Sequence, residues 1–85
     1  MRAGRKRDVT EPAILRVLRQ VGADYLLLDP FDVLVLYRHR LFMMDCKVPS
    51  GRVTATQAGL VTRGWPLRFV VTPDDALAVL GIGGR

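Results

Sequence analysis

Asp45 and Lys47 stand two residues apart at the end of Leu41-Phe42-Met43-Met44, a run with the composition of a strand. Side chains alternate faces along a strand, so Leu41, Met43, Asp45 and Lys47 project one way while Phe42, Met44 and Cys46 project the other. A carboxylate after so apolar a lead-in is costly to bury unless it is paired or binds a metal ion. Asp45 is therefore either half of an Asp–Lys pair where the strand emerges into solvent, or a buried ligand. A surface pair gains less than ~1 kcal/mol and needs no apolar approach, which weighs toward the buried ligand.

Three more polar residues break an apolar pattern. Glu11 lies three, four and seven residues before Ile14, Leu15 and Leu18, which puts it on the inward face of a helix. The other reading is a first-turn acid that favours the helix dipole and points to water. Asp32 opens Val33-Leu34-Val35-Leu36-Tyr37, the most apolar strand in the chain, directly after Asp29-Pro30-Phe31. Asp next to Pro marks a turn, so Asp32 is read either as a turn residue or as a ligand. Gln57 precedes Leu60, Val61 and Gly64 by three, four and seven residues and also faces inward. Thr54-Ala55-Thr56-Gln57 fits a capping box, in which the Gln side chain caps the start of its own helix.

The elements that must hold these residues follow from periodicity and punctuation. Residues 1–7 form a short basic arm, expected to be flexible in the free protein. From Thr10, a candidate N-cap, Ile14, Leu15, Leu18 and Val21 recur on a helical period; Pro12 is tolerated in the first turn, and Gly22 is the stop. Residues 24–28, 33–38 and 41–47 have strand composition. The middle strand is apolar on both faces, as a central covered strand would be. Arg38-His39-Arg40 is a tight hairpin connection without the usual Gly or Asn. After the loop Pro49-Ser50-Gly51-Arg52, residues 54–63 read as a helix ended by Gly64, and residues 67–71 as a strand. Thr72-Pro73-Asp74-Asp75 starts a last helix that runs through Leu80 to Gly81. The expected fold is one α/β domain over residues 8–85, ordered helix-strand-strand-strand-helix-strand-helix around one mixed sheet.

The 85 residues, 49% hydrophobic and 25% charged, suffice for one small globular domain and exclude a two-domain enzyme. A chain this short buries only about 60% of its unfolded surface, so a dimer is expected to supplement the core. No apolar run approaches the ~18 residues of a membrane span, and the basic start is not followed by the apolar stretch of a signal peptide. A soluble, non-exported, cytoplasmic protein with no membrane partner is expected. Cys46 is alone, so it forms no internal disulfide and no cysteine zinc site, and it is most simply a small buried hydrophobe in a reducing compartment. His39, with no second His or Cys placed to join it, is a turn residue. The formal charge is +5, of which Arg2, Arg5, Lys6 and Arg7 supply four before the first acid at Asp8. From Asp8 onward, nine bases face eight acids.

Glu11 on a first helix, Asp32 at the start of a strand, Asp45-Cys46-Lys47 at the end of the next, hairpin-connected strand, and Gln57 on the following helix together resemble the PD-(D/E)XK nuclease superfamily. Among its members the chain looks most like the small stand-alone viral-type replication-repair (VRR-NUC) nucleases and phage Holliday-junction resolvases. The resemblance covers residue 8 to about residue 81, and its weight lies in four motifs occurring in the right elements and order. Pro30 and Asp32 are separated by Phe31 where the family has Pro directly before Asp, which leaves Asp29 as a lesser candidate acid. Asp45 stands where many relatives have Glu. Nothing resembles an added specificity domain.

The resemblance implies a minimal restriction-endonuclease-like core and Mg²⁺- or Mn²⁺-dependent hydrolysis of DNA phosphodiesters in a bacterial or phage-infected cell. Its metal ligands would be Asp32, Asp45 and the Cys46 backbone carbonyl, with Glu11 bound directly, through water, or at a second ion. Such a set suits Mg²⁺, a hard cation with oxygen ligands at about 2.0–2.1 Å. Lys47 would orient the attacking water or offset charge in the transition state, and Gln57 would hold the water or a phosphate oxygen. Phosphate contacts would come from Arg5, Lys6 and Arg7 on the arm, Arg38 and Arg40 at the hairpin tip, and Arg52 and Arg63 around the second helix; each also reads as ordinary solvated surface. Trp65 would be a core or dimer-interface anchor, or a platform for an unpaired base. A homodimer would put two sites on two strands, which suits branched DNA. The alternatives are a non-catalytic basic nucleic-acid-binding module, and a nuclease subunit active only with a partner.

Overall fold

The computed structural model describes residues 10–83, so the arm at 1–7, with Arg5, Lys6 and Arg7, lies outside the described residues. α1 (Glu11–Gln20) forms because Ile14 and Leu18, one turn apart, are both completely buried, while Glu11 in the first turn and Arg19 in the last match the helix dipole. Thr10 does not cap it as expected. Its own backbone is helical and its side chain makes no cap bond; the hydroxyl instead donates to the Lys47 carbonyl at 3.2 Å and fastens the start of α1 to the end of a distant strand.

β1 (Asp24–Leu27), β2 (Val33–Tyr37) and β3 (Arg40–Cys46) make an antiparallel meander. The β2–β3 connection is tight, as expected. Arg38 and His39 both take positive φ, 51° and 67°, the left-handed pair that matches the twist of a two-residue hairpin. α2 (Ala55–Thr62) then carries the chain over the sheet to β4 (Leu67–Val70), which pairs parallel to β3; a parallel neighbour needs such a crossover. α3 (Pro73–Val79) closes the chain. The sheet order is β1-β2-β3-β4, so the expected mixed sheet and element order are observed.

The layers are unequal. α1 and α3 pack on one face, where Ile14, Leu18, Val33, Val35, Met44, Cys46, Val70, Ala76 and Leu80 form the main core. On the other face α2 supplies Leu60 to a smaller cluster around Phe31, Met43 and Leu67. One short helix cannot cover four strands. β2 is accordingly central but not covered on both sides: Val33 and Val35 are buried, whereas Leu36 is 45% exposed. Leu26 and Leu41 lie on the same face as Leu36 and are also exposed. Trp65 is 52% exposed, so it is not a core anchor. No helix among the described residues is long and apolar enough to cross a membrane.

Candidate metal centre

The centre sits where the C-terminal ends of β3 and β4 meet the start of β2. Register determines who meets whom. Val33 pairs with Met44, so one step outward Asp32 lies across from Asp45, and on the other side Asp45 pairs with Phe69 of β4. The loop before β2 is closed by the Leu28 amide donating to the Asp32 carbonyl at 2.9 Å, and Asp32 Oδ2 in turn accepts the Cys46 amide at 2.9 Å. Asp32 is thus held by backbone bonds at both ends and is 2% exposed. The turn reading fails for it, whereas Asp29 is exposed and stands apart.

Asp45 is 1% exposed, so the Asp–Lys pair is not a surface pair. Its Oδ2 accepts from Lys47 Nζ at 2.8 Å, while its Oδ1 is buried with no hydrogen-bond partner. Burial pushes the Asp45 carboxyl above its usual range; the Lys47 ammonium opposes the shift, and the neighbouring Asp32 carboxylate adds to it. A buried acceptor left unmatched next to a second carboxylate is what a cation would complete.

Lys47 is fixed from three sides. Besides Asp45, Nζ donates to Gln57 Oε1 at 3.0 Å and to the Arg52 carbonyl at 2.9 Å, which uses all three ammonium hydrogens. The ammonium also lies 5.8 Å from the centre of the Phe69 ring. Gln57 performs both of the roles open to it at once. Its backbone amide donates to Thr54 Oγ1 and its Oε1 accepts the Thr54 amide, completing the capping box, while the same Oε1 accepts from Lys47. Its Nε2 donates to the Pro30 carbonyl at 2.9 Å and so ties α2 to the loop that carries Asp32.

Glu11 approaches from the opposite face, on α1, and is 3% exposed; the solvent-pointing reading fails. A carboxylate oxygen of Glu11, one of Asp32 and the Cys46 thiol sulfur all lie within 4.8 Å of one another. The Cys46 side chain is therefore more than the small buried hydrophobe expected of it. Strand alternation places Cys46 away from Asp45, and the same alternation places it toward α1, where Glu11 also faces; only the packing of α1 on that face joins them.

The arginines divide. Arg52 is next to the centre through its carbonyl bond to Lys47. Arg38 and Arg40 occupy the far end of the sheet, where β3 begins; at about 3.3 Å per residue that is roughly 20 Å from Cys46. Arg63 caps the end of α2 remote from Gln57, about 12 Å along the helix. Compared with known proteins, the chain matches no protein-family model, no curated protein and no solved structure.

Proposed function

We propose that the chain is a Mg²⁺- or Mn²⁺-dependent DNA nuclease of the PD-(D/E)XK type, built on a minimal restriction-endonuclease-like core. The observation that carries this reading is Asp45 Oδ1: a buried acceptor with no partner, on a carboxyl that crowds Asp32 while its other oxygen is held by Lys47. The donor set fits a hard cation, with Asp32, Asp45, the Cys46 carbonyl and Glu11 as its oxygen ligands. A bound Mg²⁺ would supply charge neutralisation at the phosphate and a water more easily deprotonated than bulk water.

The chain's own residues do the rest. Lys47 faces the reacting phosphate as a fixed positive charge that orients the attacking water and offsets charge in the phosphorane-like transition state. Gln57 acts as a positioning residue, since Oε1 holds Lys47 and Nε2 holds the loop before Asp32. Arg52 takes the phosphate nearest the site. Arg38 and Arg40 take phosphates about six steps along a strand, because roughly 20 Å corresponds to that many 3.4 Å steps. A homodimer acting on branched DNA completes the proposal, supported by Leu26, Leu36 and Leu41 exposed on the sheet face that α2 leaves open. The single buried cysteine, free of any disulfide, suits the cytoplasm of a bacterial or phage-infected cell.

The test is incubation with linear, nicked, flapped and four-way-junction DNA in Mg²⁺ or Mn²⁺. Cleavage that disappears on chelation and in Asp45→Ala and Lys47→Ala supports the reading. Full activity in either variant contradicts it. DNA binding without cleavage, together with no response to metal, would leave a basic binding module in its place.

A further inference from the structure

The oxygen ligands proposed for Mg²⁺ share their pocket with a sulfur. Cys46 Sγ lies within 4.8 Å of carboxylate oxygens of Glu11 and Asp32, and all three residues are buried. The three arrive from β3, α1 and the loop before β2, elements fastened together by the Thr10–Lys47 and Asp32–Cys46 hydrogen bonds. Independently, Asp45 Oδ1 is buried without a partner on the carboxyl that lies against Asp32. One sulfur and three carboxylates are a set of four.

Mg²⁺ takes only oxygen and keeps most of its waters, so the thiol adds nothing to its binding. Zn²⁺ and Co²⁺ accept sulfur and carboxylate together, with sulfur at about 2.3 Å and oxygen at about 2.0–2.2 Å, and Zn²⁺ favours four ligands at tetrahedral angles. The geometry points to a second metal state of this centre, in which a thiophilic divalent cation of the Zn²⁺ class is held by Cys46 Sγ, Glu11, Asp32 and Asp45 Oδ1. Binding forms a metal–sulfur bond, and the thiol proton passes to solvent. Because Glu11, Asp32 and Asp45 serve both states, the Zn²⁺-class ion excludes Mg²⁺ and silences the site. The inference rests on these carboxyls being metal ligands, as in the proposed function, but not on the chain being a nuclease.

The full, metal-free chain is titrated with Co²⁺ as the probe and read by absorption. Expected is a thiolate-to-cobalt charge-transfer band that saturates at one Co²⁺ per chain and is displaced by Zn²⁺. In Cys46→Ala the band is lost and Co²⁺ affinity falls about tenfold or more, while Mn²⁺ still raises Tm. In Glu11→Gln, which leaves the thiol and the core volume in place, Co²⁺ affinity falls by a similar factor. Absence of the band at saturating Co²⁺, saturation at half an ion per chain, or unchanged affinity in Glu11→Gln overturns the inference. Failure of the nuclease reading looks different: no DNA cleavage in Mg²⁺ or Mn²⁺, with the cobalt band intact.

Discussion

Asp45 carries the tension in this molecule. Its folded-state pKa is raised, chiefly by burial, so the folded protein holds the proton more tightly than the unfolded chain. The stability attached to this group is full below the unfolded pKa and is lost as pH rises through the folded one. Metal-free Asp45→Asn protein is therefore expected to melt at a higher temperature than wild type at pH 7, the advantage shrinking as pH falls into the carboxylate range. Thermal melts followed by circular dichroism across pH check this. A variant that gains stability while losing metal response would mark Asp45 as a residue placed for binding at the expense of folding. The inward placement of Asp45 and Lys47 was legible from alternation after Leu41-Phe42-Met43-Met44. The Cys46 thiol was not, because its neighbour Glu11 lies 35 residues away on a helix whose docking face no local pattern specifies.

At the scale of elements, caps and glycine stops located nearly every boundary. Thr72 and Asp75 form a reciprocal box at the start of α3: Thr72 Oγ1 accepts the Asp75 amide, and Asp75 Oδ2 accepts the Val71 and Thr72 amides. Thr72→Ala is expected to cost about 1 kcal/mol, read as a drop in urea midpoint. The Val71 amide, then the Thr72 amide, hold the Asp75 carboxyl below its ordinary value. Its contribution is thus present above the unfolded pKa and lost as pH falls below about 4. The difference between wild type and Asp75→Asn should close over that window, while a constant gap would contradict the capping role. Thr10 shows where cap signals mislead. It has the right type and position, yet its hydroxyl serves the Lys47 carbonyl, a long-range bond that depends on the sheet being formed. The uncovered face of β2 was likewise invisible, since an all-apolar strand reads the same whether one helix or two lie over it.

For the whole molecule, the +5 charge now has positions. Arg38 and Arg40 stand at the hairpin end of the sheet and Arg52 at the metal end, so bound DNA would run along the molecule and not sit at one point. Arg40→Ala should weaken DNA binding and reduce the slope of log affinity against log salt by about 1, with metal response unchanged. Filter binding over a salt series measures it, and an unchanged slope would place the DNA elsewhere.

The central claim is that the buried carboxyls of Glu11, Asp32 and Asp45 form a divalent-cation site. The most direct measurement is thermal unfolding of wild type and Asp45→Asn against Mn²⁺ concentration. The account predicts that wild-type Tm climbs with Mn²⁺, reaching about 2.7 kcal/mol of added stability at a hundred times Kd, while Asp45→Asn stays nearly flat. A wild-type Tm indifferent to Mn²⁺, or an equal climb in Asp45→Asn, would contradict it.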